Sequence, residues 1–538
     1  MANKIFNSVK VERPRRNVFD LSHENKLSLD IGNLVPILCE EVLPTDSFRV
    51  NTEVFIRLSP MIAPIMHRMN VYTHYYFVPK RLLWSKWGEF ISGYNEDTGE
   101  PSDVPHPRMQ LPFTTTYRHA GSLMDYMGIP IDDSIEQGAI EVSPLPFRAY
   151  QMIYNEFYRP APLSQKVPIN IGQWSPMDNP DLLTLRQRSW EHDYFTSSLP
   201  WPQRGGDVHI PSGIGGAPIK FIGGDPITDS TVTRSGSGTL ISGSNYYMRG
   251  DEVTPGHLKL TDSTQSSHAR NLFIDNSKSL QVDDADPLAG ATVNELRRAN
   301  AVQRYLERMS LGGTRYSEFI WKIFGRRTSD ARLQRPEYLG GGKSPVVISE
   351  VLQTSATDDS TTAQGNMAGH GISVGNSHGF TRSFEEHGFI IGIMSIMPRS
   401  AYSQGLPRHF FKFDKFDFGN PLFANLGEQQ VYNKELLMKG NAAYDEDVFG
   451  YQSRYCEYKF GQSSCHGEFR TNLDYWHMTR KFSYVSPPVL NERFVKCYPT
   501  ETKRVFAVTD PAHHNMYCQL YHNIRAIRPL PIFGTPSL

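Results

Sequence analysis

Several serine and histidine residues are of the types that enzymes use for chemistry. Residues 371–375 match the G-x-S-x-G pattern of a nucleophile elbow around Ser373, and His370 and His378 lie close by in sequence. Such an elbow requires a strand before the serine and a helix after it. Both flanks here are rich in glycine, asparagine and serine instead, so we do not assign Ser373 as a nucleophile.

The tripeptide Gly342-Lys343-Ser344 resembles the end of a phosphate-binding P-loop. That pattern needs another glycine five positions before Gly342, and this chain has Glu337 there. Pro345 also interrupts the helix whose N-terminus should hold the phosphate. The sequence therefore excludes a P-loop at this position.

Cysteine and histidine residues in the last part of the chain are candidate metal ligands. Two sets can be assembled, namely Cys456, Cys465, His466 and His477, and His513, His514 and His522. Neither has the short paired spacing of zinc modules, and Cys456 lies in a strand pattern where a small buried side chain is expected. The consecutive residues Glu191, His192 and Asp193 cannot point at one substrate atom from a helix or a strand. We expect no catalytic site, metal or cofactor.

Arginine residues form the most extended candidate binding pattern, and a helix is predicted to position them. A T-x-x-E capping box at Thr292 and a Gly-Gly pair at 312–313 bound a predicted helix over residues 293–311. The helical period places an apolar face opposite a basic face. The apolar face contains Ala299, Val302, Leu306 and Met309, and the basic face Arg297, Arg304 and Arg308. These arginines can neutralise nucleic-acid phosphates or form ion pairs on a solvated face.

A basic N-terminal arm is the second pattern of this kind. Residues 1–16 contain one acid, Glu12, and five bases, which are Lys4, Lys10, Arg13, Arg15 and Arg16. Such an arm is usually disordered or draped over a neighbouring molecule. Nucleic-acid binding is the more specific alternative, since the five basic side chains outnumber the one acidic side chain.

Composition limits the class of protein. Among 538 residues, 12% are aromatic, 42 are glycine and 37 are proline, which is typical of a loop-rich β protein. The formal charge of −1 gives the whole chain no strong field for nucleic acid or a membrane. Five scattered cysteines favour a reducing compartment, and no apolar run is long enough to span a bilayer. A soluble protein that begins in a cytoplasm is expected.

The elements around these residues are mostly predicted strands. Alternating polarity predicts a half-buried strand over 48–58, and a continuous apolar run predicts a fully buried strand over 389–397. Further predicted strands are 70–78, 450–460, 504–508 and 516–522. Predicted helices cover 81–93, 145–160 and 314–324, and residues 358–379 are predicted to form a loop. Residues 205–286 are rich in glycine and acids and indicate an exposed insertion.

Ten segments, in a consistent order from about residue 19 to residue 534, resemble one family. They are FDLSHENKLSLDIGNLVPI, HYYFVPKRLLW, LPFRAYQMIYNEFYRP, DYFTSSLPWPQRG, GGTRYSEF, DARLQRPEYLGGG, EEHGFIIGIMSI, LGEQQVYNKEL, VFGYQSRYCEYKF and RPLPIFG. The chain resembles the major capsid proteins of gokushoviruses, a branch of the microviruses, which are small single-stranded DNA bacteriophages. The segments RLQRPEYLGGG and DYFTSSLPWPQ are the most specific.

This resemblance implies a mainly β protein with one eight-stranded jelly roll, very long loops, several short helices and one large surface insertion. Residues 1–204 and 291–538 would form the jelly roll with its arm and helices, and residues 205–290 a protrusion at each threefold axis. Many copies would build a T=1 icosahedral shell, with fivefold, threefold and twofold contacts, around a circular single-stranded DNA genome. The virion would be assembled in the cytoplasm of the host bacterium.

The resemblance also implies partners and places candidate site residues. The partners are a small basic DNA-packaging protein, an internal scaffolding protein, a pilot protein and a bacterial surface receptor. DNA-facing candidates are Lys10, Arg13, Arg15, Arg16, Arg297, Arg304 and Arg308. Candidates for host attachment, near the tip of the protrusion, are Asn245, Tyr246, Tyr247 and Arg249, because the tyrosine pair interrupts a run of glycine and serine. The alternative is a jelly-roll carbohydrate-binding protein or carbohydrate-active enzyme.

Overall fold

The computed structural model divides the chain into two compact units. One unit combines Met1–Pro202 with Met309–Leu538, and the other is Gln203–Arg308. The structure describes residues 15–95, 97–110, 117–131, 141–173, 180–203, 219–221, 246–250, 258–262, 270–271, 280–282, 293–310, 334–352 and 367–533.

Strands dominate the described residues. They are β1 (Asn17–Asp20), β2 (His23–Leu29), β3 (Val35–Val42), β4 (Ser47–Leu58), β5 (Met69–Pro79), β6 (Met109–Gln110), β7 (Glu141–Val142), β8 (Ile219–Phe221), β9 (Tyr246–Gly250), β10 (Leu258–Asp262), β11 (Arg270–Asn271), β12 (Leu280–Val282), β13 (Glu337–Pro345), β14 (Val347–Leu352), β15 (Met367–Ser383), β16 (Gly388–Pro398), β17 (Glu428–Tyr432), β18 (Val448–Ser453) and β19 (Met516–Arg528).

The helices of the described residues are mostly short. They are α1 (Lys80–Leu83), α2 (Trp87–Ser92), α3 (Leu123–Tyr126), α4 (Leu145–Ile153) with a π-helical turn (Tyr154–Tyr158), α5 (Val293–Ser310), α6 (Asn433–Leu436), α7 (Ala442–Asp445) and α8 (Glu492–Val495). Turns of 3₁₀ helix occupy Pro180–Leu183, Arg408–Phe411, Lys415–Asp417, Pro421–Phe423, Cys456–Tyr458, Gly467–Arg470, Asp474–Trp476, Pro499–Glu501 and Lys503–Val505. Among the described residues, no helix is both long and apolar enough to cross a membrane.

The first unit contains two large antiparallel sheets, besides the two-stranded pairs β6–β7 and β17–β18. One has the order β1–β19–β4–β15–β14, with β2 also paired to β19, and the other has the order β13–β5–β16–β3. We count β1 and β2 as two halves of one strand and leave the edge strand β14 aside. The order along the chain is then first, eighth, third, sixth in one sheet and fifth, fourth, seventh, second in the other. The mainly β fold is confirmed, and this strand order is that of an eight-stranded jelly roll.

The core lies between these two sheets. Strand β4 follows the alternation predicted over 48–58, and its side chains of Phe48, Val50 and Ile56 are buried. They share one cluster with Tyr75 of β5 and Leu520 of β19. Burying each such side chain stabilises the fold by about 1.5–3 kcal/mol. Inward-facing residues of both sheets therefore hold the sandwich together.

Helix α4 covers the outer face of the second sheet. Its predicted start is confirmed, with Pro146 in the first turn. Tyr150 of α4 is fully buried and donates a hydrogen bond from Oη to the Leu34 carbonyl, at 2.8 Å. It clusters with Ile391 and Ile393, which face away from the sandwich core. Strand β16 is therefore buried on both faces, as the apolar run over 389–397 predicted.

Two predictions about local structure are wrong, and a third, the strand over 450–460, is right only for its first four residues. The predicted loop 358–379 overlaps strand β15, which pairs with β4 on one side and β14 on the other. Residues 504–508 contain the end of the 3₁₀ turn Lys503–Val505, and residues 450–460 leave strand β18 at Ser453 and form a 3₁₀ turn around Cys456. In each case the conformation depends on backbone pairing or side-chain packing with residues that are distant in the sequence.

The second unit has its own short sheets. Strands β9, β10 and β11 form a three-stranded antiparallel sheet, and β8 pairs with β12. Most of helix α5 belongs to this unit, and its span of Val293–Ser310 confirms the helix predicted over 293–311. The predicted cap at Thr292 and the predicted helix 314–324 lie outside the described residues.

Candidate functional site

The serine and lysine motifs lie inside strands. Gly371 is paired with Ile348 and Gly375 with Val54, so the G-x-S-x-G sequence is the middle of β15. A nucleophile elbow needs a sharp turn from strand to helix, which a paired strand does not provide. Lys343 likewise lies in β13, opposite Tyr72 of β5. Neither motif has the backbone geometry that its chemistry requires.

The cysteine and histidine candidates are separate structural groups. Cys465 Sγ lies 3.4 Å from His477 Nε2, which also lies 2.7 Å from the Phe469 carbonyl oxygen. Burial raises the pKa of the Cys465 thiol and lowers the pKa of His477. Cys456 donates instead to Gln452 Oε1, at 3.7 Å. In the part of the chain that the structure describes, no group of three or more His, Cys, Asp or Glu residues could hold a metal ion.

The three other histidines contact different partners. His513 Nδ1 lies 3.3 Å from Asp510 Oδ2, and His514 Nδ1 lies 2.9 Å from Ser28 Oγ. His522 is buried, and its Nδ1 lies 2.9 Å from Thr52 Oγ1. These side chains serve local packing and hydrogen bonding, so they do not form the second metal set.

The DNA-facing candidates that can be placed are exposed cations. Arg15 and Arg16 precede β1, and Arg297 and Arg304 lie on α5, all four exposed. None of the four makes an ion pair or a hydrogen bond within the described residues. Arg308 lies in the last turns of α5. Lys10 and Arg13 lie outside the described residues.

The predicted apolar face of α5 is not buried within the described residues. Ala299 and Leu306 are half-buried, and Val302 is exposed. The helix therefore presents both a basic and a partly apolar surface to solvent in the single chain. A neighbouring molecule that covers the apolar face would bury it, as the amphipathic pattern requires.

Three of the four candidates for host attachment lie in a strand of the second unit. Tyr246, Tyr247 and Arg249 belong to β9, which pairs with β10 through residues 258–262. Asn245, the residue before this strand, lies outside the described residues. The backbone of Tyr246, Tyr247 and Arg249 is thus paired in an antiparallel sheet, and the place of the four candidates near the tip of a protrusion stays a prediction.

One face of the first sheet is open to solvent, and sequence reasoning did not identify it. Tyr517 and Tyr521 of β19 are exposed between buried neighbours. Arg525 of β19 lies directly between Arg49 of β4 and Asp20 of β1. Two like charges opposite each other destabilise an antiparallel pair. Exposed aromatic rings and closely spaced arginines are features of surfaces that bind single-stranded nucleic acid.

A Phe-rich segment, residues 407–427, is the second feature that sequence reasoning missed. It carries six exposed large apolar side chains, which are Phe410, Phe413, Phe416, Phe418, Leu422 and Leu426. Large exposed apolar surfaces mark interaction sites, and these six side chains lie within 21 residues of the chain. Phenylalanine is usually buried, so composition alone gives no sign that this segment points outward.

Comparison with known proteins agrees with the resemblance seen in the sequence. A family model described as capsid protein (F protein) matches residues 7–538. The capsid protein VP1 of Chlamydia phage 1 is 35% identical over 99% of this chain and 97% of the relative. VP1 of Bdellovibrio phage phiMH2K is 35% identical over 97% of this chain and 95% of its own length. VP1 of Spiroplasma virus 4 is 28% identical over 99% and 97%.

Proposed function

Because this chain belongs to the capsid protein (F protein) family, we propose that its copies close into a T=1 icosahedral shell around a circular single-stranded DNA genome. The chain is a structural major capsid protein of a phage virion and is not an enzyme. The observation that carries this conclusion is a match over nearly the whole chain to the family and to gokushovirus capsid proteins. The carbohydrate-binding alternative is therefore not retained.

Assembly with other copies of the chain is the activity of this family. Each copy would present different patches to its neighbours, and such heterologous contacts close into rings around symmetry axes. The formal charge of −1 limits electrostatic repulsion between many copies. The sandwich supplies a rigid block, and the long connections supply the contact surfaces.

DNA is the proposed ligand of the inner surface. Arg15, Arg16, Arg297 and Arg304 support this, since they are exposed and without ion pairs among the described residues. Lys10, Arg13 and Arg308 belong to the same proposal by position in the sequence. On the open sheet face, Tyr517 lies opposite Arg57 of β4 and adds an aromatic ring on which a base can stack. A small basic packaging protein would supply further charge, and the scaffolding and pilot proteins would act during assembly in the host cytoplasm.

The part of the second unit before helix α5, residues 205–290, is the proposed protrusion for host attachment. Three copies of it would meet at each threefold axis, with Asn245, Tyr246, Tyr247 and Arg249 near the tip. Modest affinity of each copy suffices because attachment through many copies is multivalent. Deleting residues 236–250 should leave shells that form normally and adsorb poorly to host cells. Normal adsorption of such particles would contradict the attachment role.

Negative-stain electron microscopy of the purified protein tests the shell itself. We expect uniform closed particles. Monomers that bind sugars, or open filaments, would contradict the proposed shell.

A further inference from the structure

The segment of residues 407–427 exposes six large apolar side chains to solvent. Phe413 is 89% exposed and Leu422 is 84% exposed. Four further residues of the segment are exposed, namely Phe410, Phe416, Phe418 and Leu426. Together the six residues expose roughly 700 Å². Single exposed apolar residues are common on protein surfaces, but this much exposed apolar surface within one short segment is typical of an interaction surface.

Polar contacts hold the backbone of this segment in place. Three 3₁₀ turns follow each other, and the side chains of Asp414 and Asn420 cap the second and third. Arg454 Nη2 and Tyr455 Oη each donate to the Phe416 carbonyl oxygen, at 3.3 Å. The backbone is therefore fixed before anything binds. Fixing it in advance lowers the entropy lost on association.

Two of the three Lys and Arg side chains of the segment form ion pairs within the chain, and the third, Lys415, lies with its Nζ 5.0 Å from the centroid of the Phe416 ring. Lys412 Nζ lies 2.6 Å from Glu457 Oε1, and Arg408 Nη1 lies 2.9 Å from Glu435 Oε1. A nucleic-acid ligand would need cations free to meet phosphates. The segment therefore suits an apolar protein surface and not the genome.

From these observations we propose that residues 407–427 form the apolar centre of a contact between two neighbouring copies of the chain, with Phe413 and Leu422 as its anchors. The proposal rests on the assembly of this chain into a shell. A standard interface buries about 800 Å² on each partner, which is close to the apolar surface exposed here. Aromatic anchors near the centre of an interface carry much of its binding energy.

Substitutions of Phe413 and Leu422 can weaken assembly without weakening the fold. Phe413 and Leu422 are almost fully exposed in the single chain, so polar substitutions there remove little from the packed core. Replacing both by serine should leave the folded subunit as stable as the native one. The same change should weaken assembly at every copy of the contact.

The test compares two double variants at graded protein concentrations. Phe413→Ser with Leu422→Ser should raise the concentration needed for shell formation at least about tenfold, since each lost anchor weakens the contact. Phe413→Leu with Leu422→Met keeps the apolar area and should assemble close to the native concentration. Sedimentation measures the assembled fraction, and circular dichroism with thermal unfolding checks the fold of the unassembled subunit.

Two results would overturn the inference, and they differ from failure of the shell. Folded serine variants that assemble at the native concentration would remove the anchor role while leaving the shell intact. A photocrosslinker placed at Phe413 in assembled particles should give a product of twice the chain mass, and a product confined to one chain would also overturn the proposal. A native chain that forms no shell would refute the proposed function and this contact together.

Discussion

Replacing Lys503 with methionine should destabilise the unassembled subunit by about 3–5 kcal/mol, because the change leaves a buried carboxylate without its cation. Lys503 Nζ lies 3.0 Å from Asp30 Oδ2, and the two side chains are 7% and 8% exposed. The same nitrogen donates to three carbonyl oxygens in residues 510–513. Asp30 Oδ1 accepts from the Asn515 backbone nitrogen, at 3.1 Å. The pair thus ties the end of β2 to the loop that enters β19.

A double-mutant cycle separates the ion pair from the surrounding packing. Asp30→Asn keeps an oxygen that can accept from Asn515, so it should cost less than Lys503→Met. The double variant contains no buried unpaired charge, and its loss should be smaller than the sum of the single losses by about 2 kcal/mol.

Urea unfolding of unassembled subunits at neutral pH measures these losses through the shift of the midpoint at constant slope. A cost below about 1 kcal/mol for Lys503→Met would refute the reasoning, because breaking a buried pair costs several times more. Additive single losses would show that the pair is not coupled.

Three further predictions concern acid stability, backbone geometry and DNA. Burial lowers the pKa of His522 to about 4, so the unfolded chain binds the proton first. The free energy of unfolding should therefore fall by about 1.4 kcal/mol per pH unit as the pH drops from about 6.5 towards 4. His522→Gln should remove this part of the pH dependence in unfolding titrations, and an unchanged dependence on pH would contradict the role of His522. Gly32→Ala should lower the free energy of unfolding by about 3 kcal/mol or more, because φ of Gly32 is +89° and a Cβ would lie 2.3 Å from the Cys497 carbonyl oxygen. Gly93→Ala is the control, since φ of Gly93 is +73° but a Cβ there would meet open space, and it should cost about 1 kcal/mol. Equal losses for the two variants in thermal unfolding would contradict the clash at Gly32. Arg297→Gln with Arg304→Gln should lower the slope of DNA affinity against salt by about 1.4 for single strands, and an unchanged slope in binding titrations would place both arginines away from DNA.

Hydrophobic periodicity predicted the elements that face the core. The alternation over 48–58 and the apolar run over 389–397 correspond to β4 and β16, because burial of one face or of both faces leaves a direct trace in the sequence. Helix α5 was likewise predicted from its apolar period. These elements owe their structure to patterns that lie within the segment itself.

Strand β15 could not be predicted in this way. Its sequence is rich in glycine, serine and histidine, which are poor strand formers, and pairing with β4 and β14 holds it extended. Gly379 shows why a larger residue is absent, since a Cβ there would lie 2.0 Å from the Val50 carbonyl oxygen. Information about such a strand is held in its neighbours and not in its own sequence.

The candidate site could not be predicted from hydrophobic periodicity alone. Exposed arginines could be named from the sequence, but their direction in a shell depends on other copies of the chain. The outward face of residues 407–427 was hidden for the same reason, since an aromatic run that packs against a second copy has the composition of a core segment. Contacts between copies leave no period in the sequence of one chain.

The mass of the assembled particle tests the central claim most directly. Sixty copies of a 61.1 kDa chain in a T=1 shell amount to about 3.7 MDa of protein. Native mass spectrometry or light scattering of purified, DNA-free particles should give a single species at that mass. A protein that stays at the mass of one chain, or that grows into a continuous range of masses, would contradict the account.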